Sequence, residues 1–240
     1  MPGRTVRILS RDGGSFDCYV VMPVGELPTS AIVLASAVHG VDADIRLLAD
    51  EFGAQGFIAV APDLFWRSIP GPLPHDDRRA AERSQPRLQC ISAGESDMAD
   101  TLAYLRTLPA FNGQALAMGF CYGGPYAIVG PKRLGYAAGI SCHGSQMLDF
   151  ARDLEGVDKP VCLIWGDRDY LAPIEVIGAY RALSATIRNL EFHIVVGAVH
   201  GFMMRSHPTA FHAEAFKLGM TRALAMLQSL GGLRGQGGLG

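Results

Sequence analysis

The sequence predicts an α/β fold: a mostly parallel sheet of about seven or eight strands, flanked by helices and opened by an N-terminal antiparallel hairpin. Three observations carry this reading. Short, continuously apolar runs rich in Val, Ile and Ala recur along the chain, namely AIVLASA, FIAVAP, ALAMGF, AAGISC, PVCLIWG and LEFHIVVG. Such runs suit strands buried on both faces, as in a parallel sheet covered by helices. Between them lie segments with helical spacing: DADIRLLADEFGAQG, SDMADTLAYLRTLPA, PIEVIGAYRALSA and HPTAFHAEAFKLGMTRALAMLQSL. Strand and helix therefore alternate, which implies right-handed βαβ connections and ligand chemistry at the C-terminal ends of the strands. Finally, TVRILSRDGGSFDCYVVMP alternates apolar and polar residues on both sides of DGG, the pattern of a hairpin at a sheet edge.

The 240 residues, 49% of them hydrophobic, are enough for one large core. We expect a single domain over 1–230 and a disordered Gly-rich tail, GGLRGQGGLG, over 231–240. The segment 65–90 carries four of the 14 prolines and no strand signal. It reads as an excursion over the sheet, helical around 76–84. The net charge of −2 is spread along the chain without a basic block, so nucleic acid is not an expected partner. No apolar run approaches a membrane span of about 18–20 residues, and the first residues lack the apolar stretch of a secretory signal. A cytoplasmic protein, a monomer or weak homodimer acting on a small molecule, is the expectation.

Five cysteines, widely spaced and without a C-x-x-C pair, suggest neither a disulfide framework nor a zinc site. One of them stands out. In GFCYGG, Cys121 follows an apolar strand and precedes the helix-like PYAIVG. A hydrolase nucleophile sits on such a strand-to-helix turn, where glycines permit sharp backbone angles and close helix approach. The competing reading is an ordinary buried thiol.

A thiol is only a few per cent ionised at neutral pH, so a nucleophilic cysteine needs a histidine base oriented by a carboxylate. On this fold the order is nucleophile, acid, base, each just past a strand. The acid lies in LIWGDRDYLAP, where Asp169 fits better than Asp167, a candidate turn cap. The base is His200 in VVGAVHGFMMR, beyond the last strand. His193 falls within that strand, and His75, His207 and His212 are expected to face solvent. No H-x-x-x-H or H-x-H pair appears, so neither metal nor cofactor is expected. The oxyanion of an acyl-transfer intermediate would be met by backbone N–H groups of Tyr122 and Val38.

With these motifs in view, the chain resembles the dienelactone hydrolase family of the α/β-hydrolase fold over nearly its whole length. DGGSFDCYVVMP, HGVDADIRLLADEFGAQGFIAVAPDLFWR, MGFCYGG, WGDRDYLAP and GAVHGFMMR carry the resemblance. It implies Cys121 as nucleophile with Asp169 and His200, and hydrolysis of a carboxylate-bearing cyclic enol ester, as in the breakdown of aromatic compounds. It also implies a pair of arginines holding the substrate carboxylate, placed here at Arg79 (Arg78 being a close rival) and Arg205. One departure stands out: dienelactone-cleaving members carry a glutamate near the thiol where this chain has Ala37, with His39 a polar substitute two residues on. That departure opens two alternatives, an esterase or thioesterase of another substrate class and a non-catalytic ligand-binding relative.

Overall fold

In the computed structural model, which describes residues 2–25 and 27–231, the apolar runs form one eight-stranded sheet. Its strands are β1 (Arg4–Leu9), β2 (Ser15–Val21), β3 (Thr29–Ala35), β4 (Ile58–Pro62), β5 (Phe111–Phe120), β6 (Ala138–Cys142), β7 (Val161–Gly166) and β8 (Leu190–Val195). Their spatial order is β1-β2-β4-β3-β5-β6-β7-β8. The β1/β2 and β2/β4 pairings are antiparallel and all others parallel, so the expected hairpin forms one edge. The hairpin turns where Gly13 and Gly14 adopt φ values of 90° and 82°, closed to a side chain at little cost only in glycine.

The central parallel strands are buried on both faces, as continuous apolar runs require, whereas β8 at the sheet edge is only half-buried beyond Leu190, short of what its apolar run predicted. Every residue of β4, β6 and β7 is buried, and in β3 all but the first. Alternate residues feed two cores. Val33, Val60, Ala117, Leu163 and Trp165 pack on one face; Ile32, Leu34, Met118, Ile140 and Ile164 pack on the other. Each large aliphatic side chain so buried contributes about 1.5–3 kcal/mol, which is why the apolar runs decide the architecture.

The helices are α1 (Ala43–Ala54), α2 (Arg79–Glu82), α3 (Arg87–Arg106), α4 (Tyr126–Val129), α5 (Ile174–Thr186) and α6 (Ala213–Leu230). Asp42 caps α1 by accepting the Ile45 N–H at 3.0 Å. Two boundaries differ from expectation. Helix α3 begins at Arg87, immediately after Pro86, so the excursion is shorter than 65–90 and Arg87 sits in a first helical turn. Helix α6 begins at Ala213, capped by His212, leaving His207 in an irregular stretch before it. The excursion holds α2 where 76–84 was expected to be helical. Apart from Gly231, the Gly-rich tail lies outside the described residues. Among the described residues no helix is long and apolar enough to cross a membrane.

Candidate active site

Strand β5 runs out at Phe120 and passes through a tight turn, Cys121–Gly123, into α4. Cys121 adopts φ 50°, a left-handed conformation that costs a non-glycine residue on the order of 1–3 kcal/mol. The surrounding glycines make this turn possible. A Cβ on Gly119 would stand 2.0 Å from the Gly123 carbonyl oxygen, and one on Gly123 only 2.1 Å from that of Ala35. The Ser145 N–H donates to the Cys121 carbonyl at 3.0 Å, pinning the turn from the neighbouring loop.

The expected acid and base arrive from the ends of β7 and β8. Asp169 follows β7, and both its oxygens lie against His200 Nδ1, at 2.9 and 3.0 Å. Its side chain is fully buried and also accepts the Leu171 N–H at 2.9 Å. Asp167 instead accepts the Gly197 N–H at 2.7 Å, the turn-capping role. The other ring nitrogen, His200 Nε2, is buried and makes no well-aligned hydrogen bond among the described residues. The Cys121 sulfur rests 3.6 Å from the Ser145 hydroxyl. Loose alignment between nucleophile and base is common before substrate binds.

Electrostatics favour ionisation of this thiol. Burial works against the thiolate, but His200, the Ser145 hydroxyl and the Arg87 guanidinium outweigh it and bring Cys121 below the ordinary thiol range. Burial likewise opposes a charge on His200, yet Asp169 and Cys121 lift it to about 9. The two opposite shifts arise from the proximity of thiol and imidazole and favour the thiolate–imidazolium form of the pair. The other cysteines behave differently: burial pushes Cys162 up to about 12, holds Cys18 and Cys142 well above the ordinary thiol range, and raises Cys90. His143, buried against the His200 and Phe202 rings at 5.0 and 4.9 Å, is held well below 6.5 by burial and then by His200.

Cys121 and His200 open into a cavity of about 560 Å³, into which Ala37, Val38, His39 and Arg87 also face. Neither the Val38 nor the Tyr122 N–H donates a hydrogen bond among the described residues. The Val38 loop is held from behind by Arg83, whose buried guanidinium donates to the carbonyls of Val38, Ile69 and Gly71 at 2.7, 3.0 and 2.7 Å.

The expected arginine clamp is not assembled. Arg79 is exposed and bound to Asp77 at 2.6 Å, two residues back on its own turn. Arg205 is bound to Glu51 of α1 at 2.5 Å and stacks over Phe216. Neither these two nor Arg78 lines the cavity. Arg87 does, brought there by the early start of α3. Its guanidinium donates to the Ser145 carbonyl and hydroxyl at 2.9 and 3.0 Å, while Nε is buried without a partner among the described residues. Nothing in the sequence separates Arg87 from Arg79, because the choice depends on where a helix starts. Two histidines also depart from expectation: His75 and His207 do not simply face solvent but converge on His39. His193 lies in β8, half-buried beside Glu191.

Residues 16–231 match the dienelactone hydrolase family. The chain belongs to that family. As a dienelactone hydrolase family member it is a hydrolase of carboxylic esters or lactones. It is 28% identical to carboxymethylenebutenolidase 1 of Cupriavidus pinatubonensis, over 94% of this chain and 96% of that one. It is 27% identical to the carboxymethylenebutenolidase of Pseudomonas putida, over 94% and 96%. Among solved structures, the dienelactone hydrolase-like promiscuous phosphotriesterase P91 from metagenomic libraries superposes with a TM-score of 0.80 at 18% identity, over 97% of this chain and 100% of that one. The dienelactone hydrolase of Anabaena variabilis does so at 0.66 and 18%, over 92% and 97%. These structural likenesses establish the α/β-hydrolase fold.

Proposed function

We propose that this chain hydrolyses a small carboxylate-bearing ester or lactone through a thioester on Cys121. The observation that carries the reading is His200, bound to buried Asp169 through Nδ1 and presenting Nε2 at the cavity that holds the Cys121 thiol. In the first half-reaction the sulfur attacks the carbonyl carbon. The oxyanion is met by the N–H groups of Val38 and Tyr122, and His200 gives its proton to the departing oxygen. Water then attacks the thioester, losing a proton to His200, and the thiolate leaves as the acid is released. With alanine at position 37, ionisation depends on His200, Ser145 and Arg87 and needs no carboxylate beside the sulfur.

A carboxylate on the substrate is supported by Arg87, a cation facing the cavity whose buried Nε has no partner among the described residues, and by the carboxymethylenebutenolidases to which the chain is similar. The test uses reduced protein, p-nitrophenyl acetate, and a lactone in its carboxylate and methyl-ester forms. We expect hydrolysis, an acyl adduct on the peptide carrying Cys121, and loss of both in Cys121→Ala. We expect Arg87→Ala to raise KM for the carboxylate form more than for the ester. Turnover that survives Cys121→Ala would sink the thioester route; equal effects on both lactones would remove Arg87 as the anchor.

A further inference from the structure

Three histidines from separate segments meet at the rim of the catalytic cavity. His39 follows β3, His75 lies in the excursion and His207 precedes α6; one ring nitrogen of each lies within 4.8 Å of the others. His75 Nδ1 and His207 Nε2 face each other in direct contact, and the His39 ring centroid stands 4.3 Å from that of His75. One backbone hydrogen bond ties the His39 loop to the excursion, and another fixes the local turn that carries His207. The Leu73 N–H donates to the His39 carbonyl at 2.9 Å, and the His207 N–H to the Met204 carbonyl at 3.1 Å.

A chain of hydrogen bonds sets which nitrogens are free. The buried Asp44 carboxylate receives the Ser206 N–H and, at 2.5 Å, the Ser206 hydroxyl proton. That hydroxyl has no second proton, so at 3.1 Å from His75 Nε2 it accepts. Asp42 lies 3.7 Å from the same nitrogen. His75 therefore carries its proton on Nε2 and turns a lone pair on Nδ1 toward His207. A distal nitrogen hydrogen-bonded to a hydroxyl, with a carboxylate just beyond it, resembles the outer-shell environment of a metal-ligating histidine. Independently, His39 Nδ1 is buried without a hydrogen-bond partner among the described residues, a costly state for a polar atom that a bound ion would relieve.

We propose that His39, His75 and His207 bind one divalent transition-metal ion, for which Zn²⁺ is the best match, at the mouth of the cavity. Three neutral imidazoles with a fourth position open form a recurrent zinc donor set, and imidazole favours such borderline ions over Mg²⁺ or Ca²⁺. A tetrahedral ion with Zn–N bonds of about 2.0–2.1 Å sets its nitrogens about 3.3–3.4 Å apart. Ring rotations at this partly exposed rim bring the three atoms to that spacing. His39 and His207 also line the cavity, so the fourth position opens toward it and takes water or an anionic group. The site is distinct from the hydrolytic residues and does not depend on them.

The test strips the full chain with a chelator and titrates it with Zn²⁺, and with Co²⁺ as a spectroscopic probe. We expect one ion per chain, a raised Tm, and the visible bands of tetrahedral Co²⁺ without a near-ultraviolet thiolate band. His75→Ala and His207→Ala should each weaken binding by about 100-fold or more. Binding should be unchanged in Cys121→Ala, and in His193→Ala, which probes the group Cys162, Glu191 and His193 elsewhere in the fold. Absence of stoichiometric binding would leave only hydrogen-bonded histidines and overturn the proposal. A thiolate band, or binding that survives both histidine variants, would overturn it too. The titration and the Co²⁺ spectrum use the unaltered protein, so a variant that fails to fold does not shield the proposal.

Discussion

Both carboxylate oxygens of Asp169 lie against Nδ1 of His200, while Asp167, two residues earlier, holds the Gly197 N–H. The pairing favours a proton on Nδ1 and leaves Nε2 free for the proposed exchange with the sulfur. Asp169→Asn keeps the shape but favours the wrong tautomer. It should lower kcat by about 10²–10⁴-fold with little change in KM. Asp167→Asn should remain within about tenfold of the parent, since its amide oxygen can still accept the Gly197 N–H and only a surface charge is lost. Steady-state rates of the two variants on one ester decide the assignment, and a reversed order would transfer the role to Asp167.

Cys121 should be the thiol that reacts with iodoacetamide at neutral pH, because burial and raised pKa values protect Cys18, Cys142 and Cys162 and slow Cys90. The alkylation rate should rise with a midpoint below the ordinary thiol value of 9.0. His200→Ala removes the proton acceptor and should move that midpoint upward. Peptide mapping of the labelled protein across pH measures both effects; a profile indifferent to His200→Ala would disprove the ion pair.

Acid should destabilise the protein early. His143 is buried neutral, held well below its unfolded value of 6.5 by burial and by His200; His39 is drawn down to about 4 by burial and then by His75 and His207. A depressed folded pKa means the unfolded chain binds the proton first. The stability these groups contribute is thus complete above pH 6.5 and lost as pH falls from there toward the folded values. Tm measured from pH 7.5 to 4.5 should drop below about 6.5, less steeply in His143→Asn, which also tolerates the positive φ of 43° at that position.

The cavity loop should depend on Arg83. Its guanidinium serves three backbone carbonyls, and a lysine cannot reach all three. Arg83→Lys should lower stability by about 1–3 kcal/mol by leaving buried carbonyls unpaired. It should also reduce kcat more than it raises KM, because Val38 is one of the proposed oxyanion donors. Denaturant melts and kinetics on the same preparation separate the two effects.

The turn at Cys121 should tolerate no side chain at Gly123, where a Cβ would meet the Ala35 carbonyl oxygen at 2.1 Å. Gly123→Ala should cost at least about 1–3 kcal/mol through overpacking. Cys121→Ser keeps the turn's geometry, and its melting curve should overlay the parent's.

Period-2 alternation, buried apolar runs and helical spacing are local properties, and from them the sheet, its edge hairpin and the alternation of strand and helix are legible in the sequence, whereas the strand order is not. The same holds for GFCYGG and for Asp169 and His200, because the fold presents each at a strand end that can be counted along the chain. What only the tertiary structure decides are contacts whose partners lie far apart or depend on where a helix begins. Arg87 enters the cavity because α3 starts there after Pro86, while Arg79 and Arg205 are taken up by Asp77 and Glu51. Arg83 reaches back across the excursion to the Val38 carbonyl, and Ser145 comes to the thiol from the end of β6. His39, His75 and His207 share no spacing signal and meet because three loops close over the same strand ends. Side-chain identity and hydrophobic period act over a few residues; electrostatic and hydrogen-bond partners are chosen in space, once the sheet has brought those loops together.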